Sequence, residues 1–148
     1  RDNRDFCIFS WEPNPSQFAR HVEMKHAYDA MGWRYYPFHG GVSDTPGNLT
    51  FYHIGDETGF TMLQSSCRKR CDPEYVPVYR LSQFIATEIH NRIIPQSPYA
   101  LHYENGPRVV MKMDIEMMEW IVFPDLLDTG VLCRDLNGMM GEFHLRSH

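Results

Sequence analysis

The sequence predicts an α/β layer fold with a mainly parallel sheet. Short apolar runs rich in β-formers alternate with stretches of helical period along the chain. The first run, residues 6–11, reads as a parallel strand buried on both faces, and a helix start and then a second strand follow at once, as in half of a βαβ unit. The run from Val109 to Met113 is nearly continuous in apolar character, as a central parallel strand buried on both faces reads. A chain of 148 residues and 17.4 kDa is enough for one domain and too short for two of ordinary size.

The elements follow in order. Phe6-Cys7-Ile8-Phe9-Ser10-Trp11 reads as a strand stopped by Glu12-Pro13-Asn14-Pro15. Asn14 suits a helix N-cap and Pro15 a first helical position. Phe18, Val22 and Met31, with Ala27 or Tyr28 between, form the expected apolar stripe, and Gly32 stops the helix. Arg34 to His39 is a strand, Thr45-Pro46-Gly47-Asn48 a turn, and Leu49 to Ile54 an alternating strand. Residues 55–75 read as loop and Val76 to Leu81 as extended. Ser82 is expected to cap a helix reaching Ile94, and Pro95 to Pro107 is loop. Val109 to Glu116 reads as a strand turning acidic at its end. Met117 to Leu127 is helical in pattern despite Pro124, Gly130 ends it, and Met139 to Leu145 is a last strand. There is no internal repeat and no low-complexity segment.

Composition narrows the function. Apolar residues at 43% and charged residues at 22% exclude wholesale disorder. The net charge is -5 and the one dense basic run is Arg68-Lys69-Arg70, so nucleic acid is not an expected partner. No apolar run reaches bilayer-spanning length, and no signal peptide is visible at the start. The compartment is left open. Cys7, Cys67, Cys71 and Cys133 lack the paired spacing of a zinc ribbon, and Cys67 and Cys71 read as a loop disulfide or two free thiols. The methionines, Trp11 and Trp120 read first as core.

In open α/β sheets, ligands bind beyond the carboxyl ends of the strands. Three strand ends here are acidic: Glu12, the pair Asp114 and Glu116, and Glu142 with His144. Residues two apart on a strand share a face, so Asp114 with Glu116, and Glu142 with His144, are each expected to point one way. If the two strands are neighbours, three carboxylates and an imidazole converge. Such a patch can orient a hydroxyl, take its proton or hold a divalent cation, and the metal-free mechanism is the expectation. Each residue also has an ordinary structural use: Glu12 beside the following helix start, Asp114 as the cap of the next helix, His144 as a hydrogen-bonded strand residue.

Ser10-Trp11-Glu12-Pro13-Asn14-Pro15, Gly41-Val42-Ser43-Asp44 with Gly47, Lys112-Met113-Asp114-Ile115-Glu116 with Glu119, and Gly141-Glu142-Phe143-His144 stand in one order and spacing. In this the chain resembles the FkbM-type methyltransferases over nearly its whole length. The Lys-x-Asp-x-Glu segment followed by Glu-x-His is the most specific part. The resemblance implies a Rossmann-like class I methyltransferase fold and an enzyme that methylates hydroxyl oxygens with S-adenosylmethionine. It implies that Glu12 binds the cofactor's ribose hydroxyls, that Ser43 and Asp44 lie near its adenine, and that Asp114, Glu116 and His144 are catalytic. Glu142 is then a further candidate for substrate or metal. The acceptor is expected to be a small molecule or carbohydrate. At position 117 the family pattern has glycine and this chain has Met117. The pattern's first strand and glycine-rich loop, expected about twenty residues before Glu12 by analogy with other dinucleotide folds, are not in the chain, nor are the strands after the fifth. Residues 1–148 are therefore expected to be a single partial domain, truncated at both ends. Two other readings use the same fold: a non-catalytic or degenerate binding domain, and a nicotinamide-binding Rossmann protein in which Glu12 also meets a ribose.

Overall fold

The computed structural model describes residues 4, 6–53, 60–61, 73–92 and 108–144. The expected loop over 55–75 lies mostly outside them, as do Cys67, Cys71, the basic tripeptide, the end of the helix expected to reach Ile94 and the whole 95–107 loop. The chain divides into two compact units. One comprises Arg1–Gly41 and Gly47–Val78, the other Val42–Pro46 and Tyr79–His148.

The first unit opens with β1 (Cys7–Glu12), α1 (Pro15–Ala30) and β2 (Arg34–His39). β1 and β2 pair in parallel from Cys7 opposite Arg34 to Glu12 opposite His39, so this stretch is a βαβ unit, as expected. Asn14 caps α1: it is buried, and its Oδ1 accepts the Ser16 N–H at 3.0 Å. Pro15 occupies the first turn, where its missing N–H costs nothing. The helix face keeps Phe18 and Tyr28 of the apolar stripe read from the sequence and departs from it elsewhere. Val22 and Met31 are exposed. Toward β1 and β2 the helix presents Phe18, stacked on His39, then His21, then Tyr28, packed on Trp33 and Tyr35. A polar residue works at position 21 because its partners are hydroxyls. Tyr35 OH lies 2.6 Å and Ser10 Oγ 3.3 Å from His21 Nδ1, with Ser10 and Tyr35 2.8 Å apart. The buried Tyr35 hydroxyl is thereby satisfied. β1 itself has no buried residue, so it is not the doubly covered strand that its composition suggested.

The remaining sheet of this unit is antiparallel. β4 (Gly47–His53) pairs with β6 (Pro73–Arg80) and with β5 (Phe60–Thr61). Phe51, Val76 and Val78 are its buried cluster, with Leu49 packed against them. These alternate residues face one way because successive strand side chains point to opposite sides. Gly41, which starts β3 (Gly41–Ser43), leaves room for them: a Cβ there comes 3.2 Å from Val78 Cγ1. The expectation of a mainly parallel sheet is corrected here. The protein is α/β, but its sheets are small and mixed, two parallel pairs and one antiparallel set.

In the second unit α2 (Leu81–Phe84) runs directly into a π-helical turn, Ile85–His90. Ser82 is not its cap; the cap position is Arg80, whose guanidinium reaches Asp125 Oδ1 at 2.6 Å. Burial opposes the charge of Asp125, but the hydrogen bond and charge of Arg80 outweigh it and hold the carboxyl below its usual range. Then come β7 (Val110–Met113), α3 (Glu119–Asp128), α4 (Val131–Arg134) and β8 (Gly138–Gly141). β7 and β8 pair in parallel, Val110 opposite Gly138 through Met113 opposite Gly141. Both strands are shorter than expected: β7 ends before Asp114, and β8 ends before Glu142. Among the residues of β7 only Met113 is buried, and the strand pairs with β8 in a two-stranded sheet, so β7 is not the central strand buried on both faces that its apolar run predicts. Met113, Met118, Val122, Leu126 and Val131 are buried, whereas Trp120 and Met140 are exposed rather than core. Pro124 sits inside α3 without ending it.

Asp135, after α4, has a side chain only 3% exposed. The Arg134 hydrogen bond, opposed by burial and helped by His90, depresses its pKa. A carboxylate with a lowered folded pKa adds stability above its unfolded value, about 3.9. That stability is lost as pH falls through the folded value. Asp135→Asn is therefore expected to be less stable than the parent at pH 7, with the difference shrinking as pH falls below about 3.9. Urea midpoints measured from neutral to acid pH check this.

Candidate functional site

The site lies where β7 and β8 end side by side. After Met113 the chain leaves the extended conformation. Glu116 (φ 45°) and Met117 (φ 79°) are consecutive left-handed residues, and Met118 N–H then bonds the Ile115 carbonyl at 3.1 Å to enter α3. Asp114 and Glu116 thus do not share a face by strand alternation; a tight turn brings them together. Asp114 is not the cap of α3 either. The cap position is Met118, and Asp114 Oδ2 pairs with Lys112 Nζ at 3.3 Å.

His144 is held from α3. Glu119, in the first turn of α3, is fully buried, and its Oε1 lies 2.8 Å from His144 Nδ1. The same oxygen accepts the Ile115 N–H at 3.1 Å, so one carboxylate fixes both the β7–α3 turn and the imidazole. Trp120 Nε1 donates to the His144 carbonyl at 2.7 Å, and Phe143 packs edge-on against Trp120 and Phe123. With Nδ1 on Glu119, Nε2 faces Glu116 Oε2 at 3.7 Å. The hydrogen bond that Glu119 accepts from the ring raises the His144 pKa, burial lowers it, and the charges of Glu116, Glu119 and Asp114 raise it further. One ligand atom each of Asp114, Glu116 and His144 lies within 4.8 Å of the other two.

The structure therefore brings together Asp114, Glu116 and His144, three of the residues singled out from the sequence. Glu142 is exposed just past β8, with its backbone N–H on the Met113 carbonyl, and is outside this cluster. Ser43 is buried and donates to Asp44 Oδ1 at 3.1 Å, so Asp44 is the one of that pair that reaches solvent. Glu12, in the first unit, ends β1 and accepts the Asn14 N–H at 2.8 Å, which is the structural use foreseen for it beside a helix start. Sequence reasoning named Glu119 only as a first-turn acid and as the acid that follows the Asp114–Glu116 pair in the resemblance, without a role at the site. Its central position carries one signal: an acid five residues after Asp114 on a helix whose next residues, Trp120 to Val122, are all apolar.

An open groove of about 430 Å³ is lined by Phe123, Leu132, Leu136, Asn137, Met139 and Phe143, and none of the three cluster residues lines it.

The left-handed Met117 carries a cost. That conformation disfavours a residue with a Cβ by on the order of 1–2 kcal/mol, and glycine's extra freedom when unfolded offsets about half of that. Met117→Gly is expected to stabilise the protein by about 0.5–1 kcal/mol, read as a higher urea midpoint.

No protein-family model, no curated protein and no solved structure matches the chain.

Proposed function

We propose that the protein is an S-adenosylmethionine-dependent methyltransferase of the FkbM type, acting on a hydroxyl of a small molecule or sugar. The observation that carries this reading is the imidazole of His144, held by buried Glu119 and facing Asp114 and Glu116 past the carboxyl ends of two paired parallel strands. The β1–α1–β2 unit, with Glu12 at the end of β1, supports it. So does the backbone at position 117, left-handed where the family pattern has the residue that adopts this conformation without strain.

When bound, the cofactor would supply an electrophilic methyl group on a positively charged sulfur. The acidic residues fit a cationic group of this kind. Glu12 is suited to ribose hydroxyls as a carboxylate acceptor, and Asp44 to the adenine side. Asp114 and Glu116 orient the acceptor. His144 Nε2 takes the hydroxyl proton, and Glu119 keeps the ring in the tautomer that leaves Nε2 able to accept it.

A degenerate binding domain on the same fold is the second reading, and the strained Met117 favours it. Equilibrium dialysis of the full-length gene product with labelled cofactor, followed by transfer to a panel of alcohols and sugars, separates the two. Binding with transfer that falls at least 100-fold in His144→Asn supports the enzyme. Binding without transfer to any acceptor supports the degenerate domain, and no binding removes both.

A further inference from the structure

The geometry points to a binding site for one hard divalent cation, of the Mg²⁺ or Mn²⁺ class, formed by Asp114, Glu116 and His144. Two carboxylates supply the oxygen donors that a hard divalent cation takes, and the imidazole nitrogen favours Mn²⁺ over Mg²⁺. In an octahedral shell with bonds near 2.1 Å, adjacent donors stand roughly 3 Å and opposite donors roughly 4.2 Å apart. The three donor atoms already lie within 4.8 Å of one another, so closing on a cation takes only side-chain adjustment. Glu116 and Asp114 are exposed, which leaves a path for entry and faces for water ligands.

An independent observation comes from Glu119. Its carboxylate is aimed into the cluster, with Oε1 on His144 Nδ1, and is wholly buried. Its Oε2 has no hydrogen-bond partner among the described residues. A buried carboxylate oxygen without a donor is costly unless positive charge stands nearby. Among the described residues, Lys112 is the one lysine or arginine paired within the group, on Asp114. Three carboxylates against that ammonium leave two negative charges in excess when His144 is neutral, the charge that a divalent cation cancels. Glu119 on Nδ1 also leaves Nε2 toward Glu116, which is the carboxylate–histidine arrangement that second-shell acids impose on metal-bound imidazoles.

The cation site stands without the methyltransferase reading. Where both hold, the cation would take the Nε2 lone pair and lower the pKa of a hydroxyl bound to it, and solvent would take the proton in place of His144.

Titration calorimetry of the full-length gene product with MnCl2, and then with MgCl2, in the absence of any methyl donor, tests it. The expected result is one Mn²⁺ per chain, bound more tightly than Mg²⁺. Glu116→Gln, an exposed change that leaves the fold intact by circular dichroism, is expected to weaken Mn²⁺ at least tenfold. Glu119→Gln is expected to weaken it on the order of tenfold without touching the ion. No Mn²⁺ binding up to millimolar concentration, or binding unchanged in Glu116→Gln, overturns the proposal. The methyl-transfer assay is read separately, so either result stands whatever the other shows.

Discussion

Gly141→Ala is expected to destabilise the protein by about 2 kcal/mol and to pull His144 away from Glu119. Gly141 closes β8 opposite Met113. A Cβ on it comes 2.5 Å from the Met113 carbonyl oxygen and 3.4 Å from Met113 Cβ. The nearer contact is with backbone, which has no rotamer to escape into, so β7 and β8 must separate. That carbonyl also accepts the Glu142 N–H at 3.1 Å, the last bond before the chain runs on to His144. The loss therefore falls at the edge that carries the site. Urea unfolding measures the stability. The His144 ring resonances in NMR, with and without the substitution, report whether the imidazole keeps its place. A variant as stable as the parent would mean that the strand ends are looser than this packing requires.

The elements were legible in the sequence where local chemistry decides them. Asn14 and Pro15 announce a helix start by capping and by a fixed φ, and the start falls there. Arg34 to His39 is the strand expected, and the β1–α1–β2 unit follows from it. The sheet order was not legible, because pairing depends on which strands meet in space. Gly47–His53 and Pro73–Arg80 form a hairpin-like antiparallel pair with nothing in their composition to set them apart from parallel strands. The helix face was misread for a related reason. His21 counts as polar in any periodicity, and only the hydroxyls of Ser10 and Tyr35 across the layer make it an inward residue. At the site, strand alternation was the wrong argument for the right residues. Asp114 and Glu116 come near His144 through two left-handed residues, and a positive φ at Glu116 and Met117 is not written in residue types that normally avoid it.

Glu119→Ala is expected to cost about 3 kcal/mol, and Glu119→Gln about 1 kcal/mol. The difference separates what the side chain does as a shape from what it does as a charge. Truncation removes a fully buried side chain, leaves the Ile115 N–H without its acceptor and frees His144 Nδ1. It also leaves a void beside the buried Met118 and Val122 that neighbouring backbone cannot close. Glutamine keeps the volume and an Oε1 able to accept from both Ile115 and His144. It places an amide where Oε2 stands without a partner, so an unpaired acceptor becomes an unpaired donor and the fold changes little. What glutamine removes is the negative charge behind the imidazole. His144 then lacks the group that makes Nε2 a good base and a good ligand, so the glutamine variant is expected to fold and to lose function. Urea midpoints of the two variants, set beside their Mn²⁺ affinity and methyl transfer, test the division. Equal stability losses would mean that the buried carboxylate is held for its charge alone. A functional Glu119→Gln would mean that His144 does not depend on the acid behind it.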